Sequence, residues 1–155
     1  MAVAEPADGP VLLIDTNVVL DVVLERRPWV EDASALLDAI ARHRAVGHIA
    51  GHAVTTVYYI VERERDRKVA GTAVSDLLDL LQVVPLSSDD FRRAIGLGLG
   101  DYEDAVQAAA CLQVGADFLV TRNARDFKDA PVLPRSPGEI LALLNHGPAS
   151  SAGRG

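Results

Sequence analysis

Apolar positions along the chain fall into two alternating kinds of pattern. Short continuous apolar runs at 11–14 (VLLI), 46–50, 82–86 and 117–121 read as strands, most of them buried on both faces. Between them lie stretches at helical spacing: 17–25, closed by Pro28, and 29–43, with Val30, Ala33, Leu36, Leu37 and Ile40 on one stripe. Further helices are expected at 52–65, 73–81 and 89–97, the last capped by Ser87 or Ser88, and at 101–114, stopped by Gly115. Residues 131–133 suggest a short fifth strand, and Ser136-Pro137 opens a final helix over 138–145. The charge run 62–68 reads as a solvated helix end or loop. The order β-α-α-β-α-α-β-α-α-β and then β-α requires crossovers. It therefore predicts an α/β fold, a mainly parallel sheet of four to five strands with helices on both faces. In such sheets ligands gather at the carboxyl ends of the strands.

Composition adds limits. A chain of 155 residues, 49% hydrophobic and 24% charged, fits one domain with its own core. The expected organisation is a flexible segment at 1–10, a domain at 11–145 and a disordered Gly/Ser/Ala-rich tail at 146–155. No apolar run approaches the roughly 20 residues of a bilayer span, and the first ten residues do not resemble a secretion signal. The single cysteine, Cys111, cannot pair internally, and its place in an alanine-rich helix reads as a small buried hydrophobe. Together these point to a cytoplasmic protein with no membrane association. The net charge of −7, with only Lys68 and Lys128 as lysines, excludes nucleic-acid binding through overall charge. Any such partner must be met by local cations.

Three stretches carry candidate chemistry. Asp15-Thr16-Asn17 follows the first strand directly, which sets a carboxylate at a strand's carboxyl end; helix capping is the simpler account of the same residues. Asp101, Glu103 and Asp104 open a helix, where the helix dipole alone would favour them. Yet the residues that follow are apolar all round, so Asp104 is not expected to stand free in water. Thr121-Arg122-Asn123-Ala124-Arg125-Asp126 follows the fourth strand and offers neutral oxygens, a carboxylate and local positive charge; a polar turn accounts for it equally. A parallel sheet brings all three to one edge. Several carboxylates without Cys or His suit a hard cation, Mg²⁺ or Mn²⁺, rather than zinc. Such cations activate water and support in-line displacement at phosphorus. A phosphatase using a second aspartate two residues after the first is disfavoured by Asn17. A dinucleotide reading of Gly96–Gly100 is disfavoured by the acidic helix start that follows it.

On these residues the chain resembles the PIN-domain family, in particular the branch of VapC-type toxins of bacterial toxin–antitoxin pairs. The resemblance rests on LLIDTNVVLDVVLER (12–26), HAVTTVYYIVER (52–63), DYEDAVQAAACLQVGADFLVTRNARDF (101–127) and VLPRSPGEIL (132–141). It implies a three-layer α-β-α fold and metal-dependent hydrolysis of single-stranded RNA at an acidic Mg²⁺/Mn²⁺ pocket. It further implies a homodimer and an antitoxin partner. Carried onto this sequence, it makes Asp15, Asp104 and Asp126 catalytic, with Asp101 joining them as a metal ligand. Thr16, Asn17, Thr56, Glu103, Thr121, Arg122 and Asn123 would contact substrate or support the ligands. One position departs from the pattern: the family's glutamate in the helix after the second strand is here Thr56, a weaker ligand. Asp101 or Glu103 is then expected to compensate. Failing that, metal binding would be looser, or the chain would be a PIN-like RNA- or protein-binding regulatory module with weak or no catalysis.

Overall fold

The structure, a computed structural model, describes residues 9–146. The segments expected to be flexible therefore fall outside the described residues, apart from Gly9, Pro10 and His146. Five parallel strands form one sheet in the order β3-β2-β1-β4-β5: β1 (Val11–Ile14), β2 (Val46–Ala50), β3 (Gln82–Val84), β4 (Phe118–Val120) and β5 (Pro134–Arg135). β1 lies at the centre, paired with β2 (Val11 opposite Val46) and with β4 (Ile14 opposite Val120). Its Leu12, Leu13 and Ile14 are fully buried, which is why this strand reads as an unbroken apolar run rather than an alternation.

The helices are α1 (Thr16–Val23), α2 (Val30–Ala41), α3 (Gly51–Glu64), α4 (Arg67–Leu80), α5 (Ser88–Gly96), α6 (Tyr102–Val114) and α7 (Pro137–His146). They form two groups, α1, α2, α3, α4 and α7 packing together and α5 packing on α6. With the sheet between them this is the expected three-layer α/β architecture. α6 lies against β1, β3 and β4, and its Ala108, Ala109 and Ala110 are wholly buried; small side chains let the helix approach the strands closely. Gly115 ends α6 in the left-handed region (φ 63°), the conformation that glycine adopts without Cβ strain. Cys111 is buried and its thiol is pushed up to about 11 by burial, as expected of an inert core residue. No helix among the described residues is long and apolar enough to cross a membrane.

Two local expectations are corrected. The helix expected over 73–81 begins earlier, at Arg67 behind the N-cap Asp66, whose carboxylate accepts the Val69 amide at 2.8 Å, while the charge run 62–68 does contain a solvated helix end, α3 closing at Glu64. The fifth strand lies at Pro134–Arg135, not 131–133, because the β4 amides of Leu119 and Thr121 reach the carbonyls of Leu133 and Arg135.

The strand order reverses direction at β1, with β2 and β3 to one side and β4 and β5 to the other. The crevice between the carboxyl ends of β1 and β4 is therefore the topological switch point, the place where open parallel sheets build their sites.

Candidate functional site

Asp15 directly follows β1 and Thr121 directly follows β4, so both stand at that crevice. Asp15 occupies the N-cap position of α1, but its side chain makes no capping bond. Instead Oδ2 accepts the Thr121 hydroxyl at 3.0 Å, while Thr121 Oγ1 receives the Asn123 amide at 3.0 Å. The residue is only 4% exposed, and burial pushes its carboxyl up to about 6, against the Thr121 hydrogen bond and with further help from the charge of Glu103.

α6 brings the second group. Asp101 is its N-cap, Oδ1 accepting the Asp104 amide at 2.9 Å. Ligand atoms of Asp101, Glu103 and Asp104 all lie within 4.8 Å of one another. Burial first, and then the charges of Asp101, Glu103, Asp15 and Asp126, raise the Asp104 carboxyl to about 7. Three segments distant in sequence therefore act on a single carboxyl group. Asp126 sits in the short 3₁₀ turn Ala124–Phe127, held against the core by buried Phe127. Asp126 and Asn123 are exposed.

The other expected residues make contacts of their own. Thr56 turns its hydroxyl back onto its own helix, donating to the His52 carbonyl at 3.2 Å, so it offers the crevice little. Arg122 is committed elsewhere: its Nε lies 3.1 Å from Asp21, which is buried on α1, and its guanidinium stacks 3.7 Å over the Trp29 ring. Burial outweighs Arg122 and Arg26 at Asp21 and holds that carboxyl above its ordinary value. Thr16 is buried and accepts from Gln107 Nε2 at 2.9 Å; Asn17 is half-buried beside it.

Two residues at the crevice escaped the sequence reading. His52, in the first turn of α3, places Nε2 at 2.6 Å from Glu103 Oε2. Gln107, fully buried on α6, donates to the same oxygen at 3.0 Å. Their signals were faint. His52 stands one helical turn before Thr56, and Gln107 is a polar residue at the i+4 position from Glu103 on an otherwise apolar helix.

The donor set is all oxygen, partly buried and mutually repelling. Buried like charges are costly unless a cation compensates them, and a hard divalent cation such as Mg²⁺ or Mn²⁺ fits this chemistry. The place of the acidic cluster at the switch point and its raised carboxyls agree with such a cation.

Comparison with known proteins bears on the family. The chain is 22% identical over 117 residues to Ribonuclease VapC1 of Aquifex aeolicus, covering 72% of this chain and 81% of that protein. Its fold matches a toxin–antitoxin complex from Klebsiella pneumoniae with TM-score 0.62 at 23% identity, over 83% of this chain and 99% of the other. It also matches VapBC-1 from nontypeable Haemophilus influenzae with TM-score 0.63 at 12% identity, over 83% and 98% respectively. At such identities the structural matches speak for the fold. The family profile described as PIN domain matches residues 11–125, from β1 into the turn after β4 and stopping one residue before Asp126, and the chain belongs to the PIN-domain family.

Proposed function

We propose that the protein is a Mg²⁺- or Mn²⁺-dependent ribonuclease of the VapC toxin type, hydrolysing phosphodiester bonds in single-stranded RNA. The observation that carries this reading is the convergence of Asp15, Asp104 and Asp126 on the β1–β4 crevice, with Asp104 raised by every neighbouring carboxylate. Asp15 and Asp104 would hold the cation, with Asp101 and Asp126 completing the acidic rim. When bound, the cation supplies an activated water and neutralises charge on the phosphate. The chain's own part is to hold this geometry. Thr121 fixes one oxygen of Asp15, and the Asp101 cap fixes the first turn of α6 beneath Asp104. Asn123, exposed at the rim, is placed to meet substrate, and the exposed Arg125 beside it adds positive charge in a chain of net charge −7.

The likeness to Ribonuclease VapC1 supports the activity, and the likeness to a toxin–antitoxin complex supports an antitoxin partner; a homodimer and a cytoplasmic setting belong to the same proposal. Helices α1 and α2 give most of their apolar residues to the core. Val22, Val23 and Leu37, however, join Leu77 and Leu80 in lining an open apolar groove of about 490 Å³, suited to an amphipathic segment of such a partner. A second reading, an RNA- or protein-binding module without catalysis, is favoured by the inward turn of Thr56.

Incubating purified protein with single-stranded RNA separates the two. The nuclease reading expects cleavage in Mn²⁺, none in EDTA, and none from Asp104→Asn. RNA binding without cleavage in either cation supports the second reading, and unchanged cleavage by Asp104→Asn refutes the assigned site.

A further inference from the structure

The carboxylate missing at Thr56 has a replacement within the same crevice. On the reading of this pocket as a divalent-cation centre, we propose that Glu103 is the compensating ligand and that His52 and Gln107 are the positioning residues that aim it. Between the two acidic neighbours that could compensate, the hydrogen bonding decides. Each keeps one carboxylate oxygen without a hydrogen-bond partner among the described residues, but Asp101 Oδ1 only caps its own helix through the Asp104 amide, whereas Glu103 is held from α3 and from a buried amide. Glu103 is gripped through one oxygen only: Oε2 receives both His52 Nε2 at 2.6 Å and Gln107 Nε2 at 3.0 Å. A carboxylate accepts and does not donate, so the imidazole is the donor in the first bond. Oε1 has no hydrogen-bond partner among the described residues, which leaves it for a cation.

Gln107 is the independent observation. It is wholly buried on a helix face of alanines, where an apolar residue would cost nothing to bury. Its amide bridges Thr16 Oγ1, next to Asp15, to Glu103, and its Oε1 is buried without a partner. A buried amide carried at that cost links the segment bearing Asp15 to the side chain of Glu103. His52 closes the arrangement from α3. The helix that would have supplied a carboxylate at Thr56 instead contributes an imidazole one turn earlier, which reaches a carboxylate on α6. Side chains that orient a ligand from behind change metal affinity by about 10–100-fold when removed.

The test is calorimetric titration of Mn²⁺ into the full chain at pH 8, with thermal melts confirming that each variant is folded. Glu103→Gln, nearly isosteric and at an exposed position, is expected to weaken Mn²⁺ binding at least about tenfold, and Thr56→Glu added to it to recover most of the loss. His52→Ala is expected to weaken binding about tenfold, whereas His52→Gln, which keeps a donor, stays close to wild type. Wild-type affinity in Glu103→Gln, beside lost binding in Asp15→Asn, overturns this proposal and leaves the cation centre standing. Absence of Mn²⁺ binding by the wild type at millimolar concentration refutes the cation centre itself, and the proposal with it.

Discussion

Replacing Asp15 with asparagine should make the cation-free protein more stable, although it removes the residue at the centre of the site. Burial raises the carboxyl from 3.8 to about 6, and at about 1.4 kcal/mol per pH unit this is a cost of about 3 kcal/mol for holding Asp15 ionised in the fold. The folded state keeps a proton that the unfolded chain releases near 3.8, so stability falls as pH rises through the interval from 3.8 to about 6. Above that interval the penalty is complete; at pH 5 it is about half. The substituted amide carries no charge, and its carbonyl can still accept the Thr121 hydroxyl that now meets Asp15 at 3.0 Å. Solvent and local relaxation reduce the gain to about 2 kcal/mol, which for a chain of this length raises the melting temperature by about 4–8 °C. Thermal unfolding followed by circular dichroism in EDTA, at pH 8 and pH 5, measures it. The variant should melt higher than wild type at pH 8, with roughly half that margin at pH 5. A variant less stable than wild type at pH 8, or a margin unchanged between the two pH values, refutes the claim that Asp15 is a desolvated carboxylate awaiting a cation.

Three further outcomes follow from the same geometry. Mn²⁺ affinity, measured by calorimetry, should fall about tenfold or more between pH 8 and pH 6, because protons compete for Asp104 near 7 and Asp15 near 6; a flat profile would contradict it. Arg122→Ala leaves Asp21 buried with only Arg26 at 3.9 Å, and should cost about 3 kcal/mol in urea unfolding at pH 7.5. That cost should shrink near pH 4, where Asp21 takes up a proton more readily in the fold than in the unfolded chain. Gly115→Ala meets no neighbouring atom within 4 Å yet must hold φ near 63°, so it should lower stability by about 1 kcal/mol with no effect on cation binding.

Much of the architecture was legible because its signals are local. Leu12 to Ile14 are buried on both faces, so their apolar run is visible without any knowledge of neighbours. Gly115 and the Ser136 cap, which receives the Glu139 amide at 3.1 Å, announce helix ends in the sequence itself. The α3–α4 junction was hidden because only Arg65 and Asp66 separate two helices, and charges continue across both. β5 was misplaced because a two-residue edge strand has no hydrophobic period, and its register is set by carbonyls that meet β4. In the candidate site, the positions of Asp15 and Asp104 at element ends were readable. The pairing of His52 with Glu103 was not, since 51 residues separate them and they stand on two helices, α3 and α6, from different groups. Likewise, Arg122 reads as local positive charge until Asp21 and Trp29 are seen to claim it.

The central claim is that carboxylates from β1, α6 and the turn after β4 surround one divalent cation. Anomalous diffraction from crystals soaked in Mn²⁺ tests it most directly. The account predicts one peak in the β1–β4 crevice, within about 2–2.5 Å of carboxylate oxygens of Asp15 and Asp104. A crevice without a peak at millimolar Mn²⁺, or a peak confined to surface carboxylates elsewhere, would contradict it.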